Sequence, residues 1–195
     1  MLLNAVGGRT TPQAVLLNLR HGKGLVCFLF TILAACSAKP RVEMVKIYEL
    51  QSVSASSQHP SFPPQLILDG GPAAENAWHS VTRPLLPQWI QIQYAEPVRL
   101  RRFAVQAQYN APGTSTDNWR RAPRRIEVWG ASEPNFKTHS SLGSFPCVCQ
   151  TPGAWATIEI ADRGRPYSYF RFVITENNGD PDFVTIQEMK FFSEE

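Results

Sequence analysis

Apolar and polar residues alternate along several short segments of this chain, with the period of two that is typical of half-buried β-strands. The clearest example is segment 89–94, where Ile90, Ile92 and Tyr94 fall on one face and two glutamines fall on the other. We therefore predict a strand in this segment, with its isoleucine face turned toward a hydrophobic core.

The same reasoning predicts further strands, separated by turn residues such as those of segment 178–181. Between residues 98 and 109 the alternation changes phase near Arg101 and Arg102, which indicates a β-bulge. From residue 46 onward there is no sustained helical spacing of apolar residues, so helix is a minor component. These features favour an all-β fold, an antiparallel β-sandwich or barrel. The further predicted strands are Arg125–Trp129, Ala156–Ile160, Tyr167–Thr175 and Phe183–Phe192.

The N-terminal part of the chain has a different pattern. Basic residues within 20–23 precede an apolar run at 25–32 that is too short to span a bilayer, which requires about 20 residues. The run leads into Leu-Ala-Ala-Cys at 33–36, which resembles the lipobox of bacterial lipoproteins, where the cysteine is lipid-modified and becomes the new N-terminus. The alternatives are a plain signal peptide and a short buried helix.

This resemblance divides the chain into three parts. We expect residues 1–35 to be a lipoprotein signal peptide, Cys36 to be the lipidation site, and residues 36–45 to be a tether that leads into a domain at 46–193. The expected location is the cell envelope, with a lipid anchor in the membrane. Because serine rather than aspartate follows Cys36, resemblance to sorted lipoproteins favours the outer membrane if the host is Gram-negative.

Charge adds little once the chain is divided in this way. Three of the 19 Lys and Arg residues precede Cys36, and the 16 that follow are balanced by 16 Asp and Glu. The formal net charge of +3 therefore belongs to the predicted signal peptide, and it gives no indication of nucleic-acid binding.

Seven ordered motifs in the predicted domain carry a more specific signal. They are Ser54–Ser57, Ile67–Gly70, Ala77–Ser80, Pro87–Ile92, Ala122–Gly130, Tyr169–Phe172 and Ile186–Phe192. In order and spacing they resemble the discoidin, or coagulation-factor type C, domain. That resemblance implies a jelly-roll β-sandwich, related to the galactose-binding modules of bacterial glycosidases, with a ligand site in the loops at one end.

The resemblance also implies a sugar site. A histidine that follows the tryptophan of the third motif donates to a sugar hydroxyl in the galactose-binding relatives, and here that residue is His79. A sugar site combines an aromatic platform with polar groups that fix the hydroxyls. We therefore predict a galactose-like glycan or another surface polysaccharide as the partner. Alternatively, His79 is a turn histidine and Trp119 packs under its own loop. The predicted ligand residues in the loop 109–121 are Tyr109, Asn118, Trp119 and Arg120.

The loop 69–76 resembles the calcium loop of the bacterial branch of the family, where oxygen ligands surround one structural ion. The resemblance implies Asp69, Glu75 and Glu188 as metal residues. The parity of Glu188 places it on a face predicted to be buried, and a buried carboxylate needs a cation or hydrogen-bond donors. The alternative is that Asp69 caps a turn and Glu188 pairs with an arginine such as Arg171.

Enzyme motifs of the G-x-S-x-G, H-E-x-x-H and P-loop kinds are absent from the sequence. We therefore predict a non-catalytic, surface-anchored carbohydrate-binding module. The alternatives are an adhesion or scaffold protein that binds a protein or a phospholipid head group, and an accessory subunit of a glycoside hydrolase. The segment Cys147-Val-Cys149 stays open as a metal pair, a local disulfide or two separate thiols.

If Cys36 carries lipid, metabolic labelling with a fatty acid should mark the wild-type protein, and the Cys36→Ser variant should stay unlabelled. Equal labelling of the two proteins would exclude Cys36 as the anchor.

Overall fold

The computed structural model describes residues 42–44, 50–71, 73–113, 117–161 and 165–194. The predicted signal peptide, Cys36 and most of the predicted tether lie outside these ranges. In the described part of the chain, no helix is long and apolar enough to cross a membrane.

The described residues form eleven strands and two short 3-10 helices. The 3-10 helices are Pro64–Leu68 and Asn118–Arg121. The strands are β1 (Val42–Met44), β2 (Leu50–Ala55), β3 (Trp78–His79), β4 (Gln88–Val98), β5 (Leu100–Gln106), β6 (Pro123–Ala131), β7 (Ser140–Pro146), β8 (Trp155–Glu159), β9 (Tyr167–Asn177), β10 (Thr185–Ile186) and β11 (Glu188–Glu194).

The strands form two main sheets in which every described pairing is antiparallel. One sheet has five strands in the order β2-β4-β9-β6-β7, and the other has four in the order β1-β11-β5-β8. Strands β3 and β10 form a separate two-stranded ribbon. This is the antiparallel β-sandwich that the alternating pattern predicted.

The hydrophobic core lies between the two main sheets. Phe172 of the five-stranded sheet packs against Phe103 and Phe191 of the four-stranded sheet, with ring centroids 5.0 and 5.5 Å apart. On β4, Ile90 and Ile92 are fully buried, as the period-two pattern predicted. Aromatic rings of this size contribute most of the apolar surface that holds two sheets together.

Two register features bear on the sequence predictions. In the β5–β11 pairing Leu100 lies opposite Ser193 and Arg102 opposite Phe192, so Arg101 is the extra residue of a bulge. The bulge predicted near Arg101 is therefore confirmed. The predicted single strand Phe183–Phe192 is wrong, because Gln187 separates β10 from β11 and its backbone N–H donates to the Gln106 carbonyl.

Strand β7 was not predicted from the sequence. Its segment, Ser-Ser-Leu-Gly-Ser-Phe-Pro, has one glycine and one proline among small polar residues, so the alternation is weak. It lies at the edge of the five-stranded sheet, where a proline is tolerated because one side of the strand needs no ladder hydrogen bonds.

Truncation of a core side chain on β4 should cost far more than truncation of its neighbour on the opposite face. Ile92→Ala removes fully buried apolar surface and should lower the free energy of unfolding by about 2–5 kcal/mol. Gln93→Ala, on the solvent side, should lower it by less than about 1 kcal/mol. Urea denaturation of both variants measures the difference, and equal losses would contradict the assigned faces.

Candidate functional site

An open cavity of about 280 Å³ lies among the loops that flank the β3–β10 ribbon. We call it the first cavity. Its walls combine one aromatic ring, small side chains and groups that can donate or accept hydrogen bonds. The lining residues are Phe62, Ala74, Glu75, Gln108, Ala111, Asn118 and Arg121.

His79 lies beside this cavity but is only 6% exposed. Its ring stacks on Phe62, with centroids 4.1 Å apart and planes inclined by 16°. Its Nε2 atom is 2.8 Å from Nε2 of Gln108, an amide nitrogen that can only donate. His79 therefore accepts through Nε2 and carries its proton on Nδ1. His79 thus contacts two residues of the cavity wall, Phe62 by ring stacking and Gln108 by a hydrogen bond.

Burial lowers the pKa of His79 to about 4, and the positive charge of Arg121 lowers it further in the same direction, as does that of His59. The imidazole is therefore neutral at physiological pH. A neutral ring agrees with the hydrogen bond that His79 accepts from Gln108.

Gln108 joins the walls of the first cavity. Its Nε2 atom also donates to the carbonyl of Ala74, at 2.7 Å. Its Oε1 atom is buried and has no hydrogen-bond partner among the described residues. An unmatched buried acceptor is costly, and here it lies on a residue that lines a cavity.

The second 3-10 helix positions Asn118 and Arg121. The Asn118 side-chain amide donates to the carbonyl of Tyr109 at 2.9 Å, and its backbone N–H donates to Oδ1 of Asn110 at 3.1 Å. Arg121 donates from Nε to Oδ2 of Asp180 at 3.2 Å, and both side chains are mostly buried. These contacts fix the orientation of the two side chains at the cavity.

The five predicted ligand residues are only partly brought together. Asn118 lines the first cavity and His79 lies behind it. Trp119 is partly buried against the hydrophobic core. Arg120 is exposed and donates to the carbonyl of Gly179, at 3.2 Å. Tyr109 lines a different cavity.

Five lining residues that the sequence reasoning assigned to neither the ligand nor the metal site are Phe62, Ala74, Gln108, Ala111 and Arg121. For Phe62 a signal existed, because it is an aromatic residue in a proline-rich loop. For Arg121 the predicted arginine was its neighbour in sequence. Gln108, Ala74 and Ala111 carry no local signal, since their positions at the cavity depend on how two loops meet.

A second cavity of about 200 Å³ contains part of the predicted calcium site. Oε2 of Glu188 accepts a hydrogen bond from the backbone N–H of Gly70 at 3.0 Å, and burial raises the pKa of Glu188 to about 7. The predicted burial of Glu188 is therefore confirmed. The lining residues are Gly70, Gly71, Gln106, Tyr109, Trp155, Glu188 and Lys190.

The three acids named for calcium are not all at one place: Asp69 is close enough to Glu188 for its charge to raise the pKa of Glu188 further, but Glu75 is not part of this group. Oδ1 of Asp69 accepts the backbone N–H of Gly71 at 2.8 Å, the turn-capping role of the alternative. Glu75 lines the first cavity, whereas Glu188 lines the second. No group of three His, Cys, Asp or Glu residues in the described ranges is arranged to hold a metal. The described residues therefore do not fit the predicted set of ligands.

The alternative that Glu188 pairs with Arg171 is wrong, because Arg171 has other partners. The Arg171 guanidinium lies between the rings of Trp89 and Phe136, 4.4 and 4.2 Å from their centroids. It donates to Oε1 of Gln91 at 2.7 Å. A guanidinium stacked in this way is held on the outer side of the sheet by its aromatic neighbours.

Cys147 and Cys149 are both buried free thiols, with their Sγ atoms 3.5 Å apart. Of the three possibilities left open by the sequence, this arrangement corresponds to two separate thiols, and the two sulfur atoms lie in contact. Sγ of Cys149 also lies 3.5 Å from the carbonyl oxygen of Val105.

The low pKa of His79 predicts a pH dependence of stability. The native pKa of about 4 is below the unfolded value of 6.5, so the unfolded state binds more protons between these values. The stability that neutral His79 contributes is fully present above pH 6.5 and is lost as the pH falls toward 4, by up to about 1 kcal/mol per pH unit. The free energy of unfolding of the wild type minus that of His79→Gln, measured in urea across this range, should therefore become smaller as the pH falls from 6.5 to 4. A constant difference would mean that His79 titrates normally in the folded state.

Comparisons with known proteins find likeness in structure alone. No family profile and no curated protein matches the sequence. Among solved structures, the family 32 carbohydrate-binding module of NanJ from Clostridium perfringens, determined with galactose, superposes with a TM-score of 0.60 at 15% identity. The match covers 78% of this chain and 99% of that one.

Two further structures give the same result. A family 32 module of a C. perfringens family 89 glycoside hydrolase, in complex with GalNAc-β-1,3-galactose, has a TM-score of 0.58 at 15% identity over 76% of this chain and 99% of its own. An F5/8 type C domain from Bacteroides fragilis has a TM-score of 0.61 at 16% identity over 79% of this chain and 97% of its own. The fold of the described chain is thus the β-sandwich of family 32 carbohydrate-binding modules and F5/8 type C, or discoidin-like, domains.

Proposed function

We propose that the first cavity binds one sugar ring of a glycan and that the protein is a non-catalytic carbohydrate-binding module. The observation that carries the proposal is the composition of the cavity wall. It places the ring of Phe62 beside three fixed polar side chains, those of Gln108, Asn118 and Arg121.

Each of these groups suits a part of a pyranose ring. The apolar face of a sugar packs on an aromatic ring, while amides and a guanidinium form hydrogen bonds with hydroxyl groups that point in fixed directions. The unmatched Oε1 atom of Gln108 accepts a bond from a hydroxyl if the site adjusts on binding. Ala74 and Ala111 keep the space open because their side chains are small.

The size of the cavity favours a short ligand. Its volume of about 280 Å³ lies near the lower end of small-molecule sites, which span roughly 300 to 1,000 Å³. A site of this size holds one ring and leaves the rest of a glycan in solvent. Its affinity should therefore be modest, in the range of tens of micromolar to millimolar, about −7 to −4 kcal/mol.

Charge favours a neutral sugar over an anionic one. Arg121 is the cationic residue among the described lining residues, and it is already paired with Asp180. Glu75 adds a carboxylate to the same wall, and like charges repel. A neutral sugar ring is not repelled by Glu75 and does not need an unpaired cation. Its hydroxyl groups can donate to Glu75 and accept from Arg121.

The galactose and GalNAc-β-1,3-galactose found with two structural relatives support this ligand class.

The same cavity supports a non-catalytic role. Glycosidases most often use two carboxyl groups across the scissile bond, and Glu75 is the acid that the described lining of the cavity contains.

The predicted anchor completes the proposed function. A lipid on Cys36 would hold many copies of a weak site on one envelope surface, and multivalent contact with a polysaccharide then raises the effective affinity. The envelope location and the membrane anchor rest on the sequence of the segment 33–36.

A second candidate, phospholipid head-group binding, is favoured by one observation. The loop that follows β3 exposes Val81, Leu85 and Leu86, which are 44%, 88% and 42% accessible. Arg83 in the same loop is also largely exposed and forms a surface pair with Asp182 at 3.3 Å. Exposed apolar side chains beside a cation suit the interface of an anionic membrane.

Two adjacent arginines provide a matched test of the sugar site. Arg121→Gln should weaken binding of a galactose-terminated glycan at least tenfold, because it removes a charged donor from the cavity wall. Arg120→Gln, which alters a side chain outside the cavity, should change affinity less than about twofold. Calorimetric titration measures both, with circular dichroism as the control for folding.

The same titration separates the candidates. If no glycan on an array binds the wild type, and anionic vesicles bind it in a manner that Leu85→Ser abolishes, the phospholipid candidate replaces the sugar site. If Arg120→Gln and Arg121→Gln weaken glycan binding equally, a sugar site in the first cavity is wrong.

A further inference from the structure

Gln187, the residue between β10 and β11, makes an unusual set of contacts. It is completely buried. Its Nε2 atom lies 3.0, 2.9 and 3.0 Å from the carbonyl oxygens of Gly71, Ala73 and Asn76. One side-chain atom thus contacts three carbonyls of the loop 70–76.

The contacts identify the atom as the amide nitrogen. Three acceptors around one atom require a donor, so the oxygen of the amide must point the other way. Oε1 does so, and it accepts the backbone N–H of Tyr109 at 3.2 Å. Because an NH2 group has two hydrogens, one of them is shared between two of the three carbonyls.

Three carbonyls that converge on one point resemble the coordination of a cation. Carbonyl oxygens turn their negative ends toward one another in such an arrangement, and a positive group between them is needed to offset the repulsion. Calcium does this in many loops with oxygen ligands at 2.3–2.6 Å. Here the partial positive charge of an amide NH2 lies at the same kind of position.

We propose that the side-chain amide of Gln187 takes the place of a calcium ion in this protein and orders the loop 70–76 without metal. The amide nitrogen fills the centre of the carbonyls, so an ion would have to displace it. The acids predicted as ligands contact backbone N–H groups or lie apart, since Asp69 accepts the Gly71 N–H, Glu188 accepts the Gly70 N–H and Glu75 lines the first cavity.

Close packing between Gly71 and Asn76 supports the role of Gln187 as the donor to this loop. A Cβ atom on Gly71 would collide with the side chain of Asn76. Gly71 and Asn76 both present their carbonyls to Gln187, so the absence of a side chain at Gly71 lets these two acceptors approach one donor.

Gln187 also links the two loops that border the first cavity. On one side it holds the loop that contains Ala74 and Glu75, and on the other side it fixes the start of the loop that contains Asn118. Gln187 is therefore a positioning residue for ligand binding, and this part of the inference rests on the proposed function. The replacement of the ion does not rest on it.

The first test measures the response to metal. The melting temperature of the wild-type protein should be the same in calcium chloride and in EDTA, because no ion is part of the native state. A melting temperature that rises with calcium and falls in EDTA would show that the loop holds an ion, and the proposal would be wrong.

The second test removes the donor. Gln187→Met keeps the length of the side chain and removes the NH2 group, and Gln187→Ala serves if a larger change is needed. In both variants, hydrogen exchange of the backbone amides in 69–76 should accelerate at least tenfold relative to the wild type. Gln65→Ala is the matched control, because Gln65 is exposed and donates to one carbonyl, that of Val53.

Unchanged exchange in both Gln187 variants would overturn the proposal, as would equal acceleration in Gln65→Ala. If Gln187→Met does not fold, the calcium response of the wild type still decides the question. Glycan titration gives a separate result: loss of affinity in Gln187→Met with the Arg120→Gln control intact supports the positioning role. If no glycan binds the wild type, the sugar site fails, while the exchange and melting data still decide whether Gln187 replaces the ion.

Discussion

Buried backbone carbonyls must be matched by donors, and in the loops 70–76 and 107–122, which lie outside the sheets, the chain meets this requirement with side-chain amides. Gln187 serves three carbonyls of one loop, and Gln108 serves a fourth. Asn118 and Asn178 donate to carbonyls in and around the other loop. The strands of the sandwich determine where these loops begin and end. Hydrogen bonds from neutral amide side chains hold the backbone of the loops between those points.

This arrangement prepares the first cavity before any ligand arrives. Asp180 fixes the guanidinium of Arg121, and the neutral ring of His79 stacks on Phe62 and bonds to Gln108. Side chains that are already ordered lose little entropy on binding. At the proposed sugar site, which is small and makes few contacts, this smaller loss of entropy has a large effect on a weak affinity.

Much of the fold could be predicted from the sequence because period-two patterns are local. The alternation of apolar and polar residues within a single strand predicted each of three features: the buried face of β4, the bulge at Arg101 and the burial of Glu188. The cavity wall depends on contacts between loops that are distant in sequence, so the choice between Arg120 and Arg121 and the place of Gln108 had no local signature. Of the ligand residues that the resemblance to a known family predicted, Asn118 lines the first cavity, whereas Tyr109 lines the second.

A loop ordered by a side chain differs from one ordered by an ion in how it responds to its surroundings. An ion is lost whenever its free concentration falls below its dissociation constant, whereas Gln187 is covalently part of the chain and is present at every concentration of protein and solute. A protein built in this way keeps its loop in media that are poor in calcium or rich in chelating polysaccharides. The cost is that three carbonyls of the loop lose their donor together when this one amide is changed, and the contacts of Gln108, Asp69 and Glu188 with the loop involve other backbone groups.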